Sequence, residues 1–101
     1  MAFEIHSKVE DNLKIFPVGE LDIYQSENFK NEVLSLYEEN PKDIVFDFEK
    51  LEYIDSTGLG ALIFIYKNVF ENNKVKIENV NPNIRKLFTI TKLDTMFIIG
   101  D

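Results

Sequence analysis

The sequence predicts a single α/β domain built on a mixed, mostly parallel sheet of about five strands joined through helices. Three observations carry this reading. Short β-branched and aromatic runs recur along the chain, they alternate with longer segments whose apolar residues fall at helical spacing, and polar breaks separate the two. The 101 residues include nine Phe and are 45% hydrophobic, enough for one core-forming domain over residues 1–101 without help from a metal or disulfide. No linker, repeat or low-complexity tract interrupts the chain.

Phe3-Glu4-Ile5 and Leu13-Lys14-Ile15-Phe16-Pro17-Val18 read as two strands joined around the turn-rich Glu10-Asp11-Asn12. Pro17 has no N–H for a ladder, so it marks an edge position, a bulge or the strand end. Asp22 precedes Gln25 by three, an Asp variant of the capping box, and predicts a helix running to about Glu39, before Asn40-Pro41. Along it Phe29, Val33, Leu36 and Tyr37 form one stripe. Tyr24 lies on the opposite, polar side beside Asn28 and Asn31, either as a contact residue or as an ordinary surface tyrosine. Asp43–Phe48 is the central strand. The next helix carries a broad arc of Leu59, Leu62, Ile63, Ile65, Tyr66, Val69 and Phe70. Phe64 falls outside the arc among Lys67, Asn68 and Glu71, as an interface residue or a lone surface apolar group. Lys74–Ile77 alternates as a strand, Asn81 and Pro82 fit the N-cap and first turn of a third helix, and Met96–Ile99 closes the sheet.

Composition excludes several classes. There is no Cys, consistent with a reducing compartment. No leader precedes Phe3, and no apolar run approaches the roughly 20 residues of a membrane helix, so the chain reads as soluble, cytoplasmic and not membrane-inserted. Residues 1–57 carry 14 acids and 5 bases, net −9, whereas residues 58–101 carry 4 acids and 6 bases, net +2. No basic face exists for a nucleic-acid backbone. An acidic front suits a basic protein surface, although ordinary solubility explains it equally.

The stretch Tyr53-Ile54-Asp55-Ser56-Thr57-Gly58-Leu59-Gly60 sits between the central strand and the second helix. Asp55, Ser56 and Thr57 therefore lie at a helix N-terminus, where free N–H groups and the dipole favour negative charge. A small hydroxyl there either caps the helix or carries a phosphate. Gly58 and Gly60 each cost roughly 1 kcal/mol in a helix interior, which points to close approach by another segment or a partner. They make no dinucleotide fingerprint, because a third glycine is missing. Catalysis has little support: one His, His6 in the first strand, stands without a Ser–His–acid arrangement. Asp22 and Asp55, with Glu20, gather near helix starts, a pattern open to Mg²⁺ binding but read here as caps and partner contacts. Neither enzyme activity nor a cofactor or metal is expected.

Asp55-Ser56-Thr57-Gly58-Leu59-Gly60 resembles the signature of STAS domains, specifically the bacterial anti-sigma factor antagonists. Gly19-Glu20-Leu21-Asp22 resembles the turn into that family's first helix. Asn81-Pro82 through Leu87-Phe88, followed by Leu93-Asp94, resembles its late helix and the run into the last strand. The resemblance covers essentially the whole chain. It implies a STAS domain with helices packed mainly on one sheet face, and Ser56 as a phosphoacceptor. The implied partner is an anti-sigma factor serine kinase using MgATP, held while Ser56 is unphosphorylated so that the sigma factor is free for transcription. A phosphoserine phosphatase of the metal-dependent type would reset the switch. The expected contact surface combines Asp22, Ile23 and Tyr24 with Asp55, Ser56, Thr57 and Gly58, and Leu59 as either an edge anchor or a core residue. The rival reading keeps the fold as a non-switching adaptor of a lipid-transport complex, with Ser56 only an N-cap and Phe64 on the binding face. Family members often continue into a further C-terminal helix. This chain stops at Asp101, which reads either as a shorter version that suffices or as leaving another surface open for self-association as a homodimer.

Overall fold

The computed structural model describes residues 3–100. Its elements are β1 (Glu4–Val9), β2 (Leu13–Leu21), α1 (Ser26–Glu39), β3 (Ile44–Asp47), β4 (Leu51–Ile54), α2 (Ser56–Val69), β5 (Val75–Glu78), α3 (Pro82–Ile90), a 3₁₀ turn over Leu93–Thr95, and β6 (Ile98–Ile99). β1 and β2 form an antiparallel hairpin, and every other pairing is parallel. The order across the sheet is β1-β2-β3-β5-β6, with β4 also on β2. The expected mixed, mostly parallel sheet is present, with six strands rather than five.

The additional strand is β4. Its Leu51-Glu52-Tyr53-Ile54 buries only the two end residues, so neither a period of two nor a continuous apolar run marks it. Pairing rather than pattern makes it a strand. β2 lies against β3 over Leu13–Ile15 and against β4 over Gly19–Leu21. Between those stretches sits Pro17. Leu13 and Gly19 both direct their N–H groups to this flank of β2, at 2.8 and 3.0 Å from the carbonyls of Asp43 and Lys50. Pro17 shares their parity, so its missing N–H falls where β3 has ended and β4 has not begun. The register then shifts between Gly19 and Glu20, and Gly19 has φ 105°, a value for which a side chain is strained. Gly19-Glu20-Leu21 is therefore bulged strand, and the turn into α1 begins only at Asp22.

Burial follows the pleat. Leu13, Ile15 and Leu21 of β2, Ile44 and Phe46 of β3, and Val75 and Ile77 of β5 all point to one side and are buried. Phe29 and Val33 of α1, Leu62 and Ile65 of α2, and Ile84 and Phe88 of α3 cover that side. The helices thus occupy one face, as expected. Phe46 lies at the centre, its ring 5.9 Å from those of both Phe29 and Phe48. The far end is closed by Phe97, 5.3 Å from Tyr66 and 5.7 Å from Phe88. Phe70, assigned to the arc by spacing, is the C-cap of α2 and only half covered, stacked on Tyr66. On the uncovered face Lys14 lies between Asp47 and Glu78, at 4.0 and 3.6 Å, tying three strands together.

Truncating Phe46 to Ala removes the ring that bridges α1 and the sheet. The expected loss is about 3–5 kcal/mol of unfolding free energy in urea titration. A loss below about 1 kcal/mol would mean that the core is not organised around it.

Candidate functional site

The start of α2 is built by Asp55. Its extended backbone makes it the N-cap, and its Oδ1 accepts the Gly58 N–H at 3.0 Å and the Thr57 hydroxyl at 2.5 Å. The Thr57 hydroxyl is the main reason its carboxyl is held below the ordinary carboxylate value. Burial pushes the other way, and the Gly58, Thr57 and Ile23 N–H groups add to the lowering. Ser56, the first helical residue, is exposed and makes no side-chain hydrogen bond among the described residues. Asp55 does the capping, so an N-cap role for Ser56 does not hold.

Asp22 organises the start of α1 differently from a capping box. Its Oδ1 accepts the Tyr24 N–H at 3.0 Å, and its carbonyl accepts Gln25 N–H, Ser26 N–H and the Ser26 hydroxyl at 3.1, 2.9 and 2.6 Å. Gln25 is the N-cap residue and supplies no side-chain cap. Asp22 thus heads a turn one step before the helix. Ser26 joins the two helix starts: its Oγ is 3.1 Å from the Thr57 Oγ1. Each hydroxyl has one proton. With Thr57 donating to Asp55, only Ser26 can donate across the pair, in competition with its bond to the Asp22 carbonyl.

Ser26 is the residue that pattern reading misses. It lies three before Phe29 on the buried stripe of α1 and is itself buried, so a small hydroxyl at an apolar position is the signal that marks it. The two glycines divide the roles foreseen for them. A Cβ on Gly58 would lie 2.6 Å from both the Leu21 carbonyl oxygen and Ile54 Cγ1. Gly58 is therefore the point where α2 rests on β2 and β4. A Cβ on Gly60 would meet nothing within 4 Å, so no internal contact requires this glycine.

The candidates separate by burial. Ile23 and Tyr24 are 64% and 85% exposed, and Asp22, Asp55 and Thr57 are half-buried beside the exposed Ser56. Gly58 is buried, and Leu59 is 8% exposed and belongs to the core, which excludes it as an edge anchor. Ile23, Thr57, Gly60 and Phe64 instead line a groove of about 350 Å³ between α1 and α2. Phe64 carries the Lys30 ammonium 4.5 Å above its ring, and Lys30 also pairs with Glu27 at 3.1 Å. Glu20 and His6 are exposed on strands, His6 bonded to Glu4 at 2.8 Å. Among the described residues no group of three or more His, Cys, Asp or Glu side chains could hold a metal, and no helix is long and apolar enough to cross a membrane.

A hexapeptide-capped helix start on this sheet has a known family. The STAS domain family model matches residues 4–101, and the chain belongs to that family. It is 29% identical over 103 residues to an anti-sigma-B factor antagonist of Staphylococcus aureus, covering 100% of this chain and 95% of the relative. A Thermotoga maritima structure described as a candidate anti-sigma factor antagonist superposes with a TM-score of 0.88 at 25% identity, covering 96% of this chain and 86% of that one. SpoIIAA in its unphosphorylated form shares the fold with a TM-score of 0.74 at 21% identity, over 99% of this chain and 88% of that one.

Two expectations separate the glycines and the acids. Gly58→Ala forces α2 away from the Leu21 carbonyl and is expected to lower stability by about 2–4 kcal/mol, whereas Gly60→Ala raises it by about 0.5–1 kcal/mol in the same denaturant titration. Equal effects at the two positions would refute this assignment. The second concerns pH. Asp55 and Asp43 are both held below the ordinary value, Asp43 chiefly by the Lys74 N–H and then by the Asn73 amide. The unfolded chain therefore takes up these protons first as pH falls, so both groups stabilise the fold above about pH 4 and lose that contribution below it. Thermal melts from pH 6 to pH 3 should show this decline, and Asp55→Asn should make it shallower. An unchanged slope in that variant contradicts the role given to Asp55.

Proposed function

We propose that this chain is a phosphorylation-switched antagonist of an anti-sigma factor, with Ser56 as the acceptor. The observation that carries the reading is the contrast between neighbouring hydroxyls. Thr57 is committed to Asp55 and abuts Ser26, while Ser56 stands exposed and unbonded at the first position of α2. A kinase needs a hydroxyl that can leave the protein surface, and Ser56 is that group. The curated relatives named as anti-sigma-B factor antagonists support the partner class.

The unphosphorylated chain presents Ile23, Tyr24, Asp55 and Ser56 to a serine-kinase anti-sigma factor and so frees the sigma factor. Phosphorylation adds about −1.5 to −2 charges. The positive end of α2 tolerates that charge, so the fold persists. The Gly58 N–H is already bonded to Asp55, however, so the phosphate gains little from it and its charge faces outward next to a carboxylate. Binding is lost through like-charge repulsion, not through unfolding. A phosphoserine phosphatase restores the binding form.

The test is phosphosite mapping of the protein purified from its host, with capture of its partner by the wild type, Ser56→Ala and Ser56→Asp. One phosphate on Ser56, absent from Ser56→Ala, is expected. Ser56→Asp should bind the anti-sigma factor about 100-fold more weakly than the wild type while melting within a few degrees of it. A phosphate on Thr57, an unmodified protein under both resting and stressed growth, or equal affinity of the wild type and Ser56→Asp would overturn the switch. Capture of membrane-transport subunits by an unmodified chain would replace it with the adaptor reading.

A further inference from the structure

β1 is an edge strand whose outward backbone groups can be assigned residue by residue. Leu13 and Gly19 send their N–H groups toward Asp43 and Lys50, so the odd-numbered residues of β2 serve β3 and β4, and the even-numbered ones serve β1. The hairpin register sets Glu4 opposite Val18, His6 opposite Phe16 and Lys8 opposite Lys14. Glu4, His6 and Lys8 therefore spend their backbone groups inward. Ile5, Ser7 and Val9 turn theirs to the outside. Such a row is a template for another strand.

Charge decides which strand and which register. Consider a second copy of β1 running antiparallel across a two-fold axis, with outward groups facing each other. Centred on Ser7, the pairing sets Glu4 against Glu10 of the second copy. Centred on Lys8, it sets the two Lys8 side chains together. Centred on Ile5, it carries Lys8 beyond the end of the other strand. The register centred on His6 pairs opposite charges and apolar groups, with the two His6 side chains facing each other at the axis. There Glu4 opposes Lys8 of the second copy on the open face, and Phe3 opposes Val9 on the helix-covered face. Val9 is 44% exposed in the single chain, an apolar group at an edge with no cover. Ile5 and Ser7 supply the facing N–H and C=O pairs between them.

We propose that two copies of this chain associate through their β1 strands in the His6-centred register, joining two six-stranded sheets into one. Charged residues on an edge normally discourage strand addition. On this edge they disfavour the Ser7- and Lys8-centred registers and favour the one centred on His6. Within a single chain Glu4 bonds His6 at 2.8 Å and Lys8 reaches Glu10 at 3.5 Å, all four groups being well exposed. Exposed pairs of that kind hold their partners weakly, so exchanging them for Glu4–Lys8 pairs across the axis is cheap. The interface shares no residue with the Ser56 surface, so the inference stands apart from the proposed switch.

Charge reversal tests both the interface and its register. Sedimentation of the full chain over a concentration series should give a reversible monomer–dimer equilibrium. Glu4→Lys sets Lys against Lys8, and Lys8→Glu sets Glu against Glu4. Each should weaken self-association by at least about tenfold. The double variant should recover it, and an equimolar mixture of the two single variants should form a mixed dimer. These positions are exposed, and unchanged circular dichroism would verify that each variant is folded. A wild type that stays monomeric across the series, single reversals that leave the dimer constant unchanged, or single variants that fail to associate when mixed would each overturn the proposal.

Discussion

The approach of α2 to the backbone of β2 at Gly58 is the contact on which the rest of the site depends. There is no room between the Leu21 carbonyl and the first turn of α2 for even one methyl group. This closeness lets the Asp55 N–H reach the same carbonyl at 3.3 Å while the Asp55 side chain caps the helix. It also brings Thr57 beside Ser26, so that two helix starts far apart in sequence become one surface. Ser56 is then left with nothing inside the protein to bind. A free hydroxyl at a well-tied helix start results from the groups around it already being paired.

Legibility in the sequence followed how local the physics was. Asn81 accepts the Ile84 N–H and Pro82 follows it, a cap visible in two adjacent letters. The alternation of strands and helices, the stripe through Phe29 and Val33, and the Asp55-Ser56-Thr57-Gly58 signature are equally local. β4 was hidden because its strand character comes from β2 and not from its own four residues. The spacing of Asp22 and Gln25 matches a capping box, yet Asp22 spends its side chain on Tyr24 and starts a turn instead. Ser26 is undistinguished until the fold sets Thr57 against it. The burial of Leu59 depends on how α2 is rotated, which the hexapeptide alone does not determine.

The uneven charge of the sequence acquires a location in the fold. The acidic first half supplies β1, β2, α1, β3 and β4, and hence both helix starts that meet at Ser56. Long-range electrostatics would steer a basic surface toward that pole, and added negative charge there would change its field. Lys30, half-buried between Glu27 and Phe64, is a cation at the rim of this surface and is held by its own neighbours.

The two-part pairing of β2 has a consequence for how such chains can vary. From Ile15 to Gly19 the strand advances four residues, while its partners advance five, from Phe46 to Leu51. β3 and β4 thus behave as one strand, with one extra residue taken up in the step over Phe48–Lys50 and a second at the bulge, where β2 moves from Gly19 to Glu20 while its partner moves from Leu51 to Tyr53. That step acts as a ruler, because it sets how far Ser56 is carried beyond the end of β2. Length changes there would displace Ser56 relative to Ile23 and Tyr24, whereas the Glu10–Asn12 turn can grow or shrink without moving it. Among related chains, insertions should therefore collect in the hairpin turn and be absent from the three-residue step.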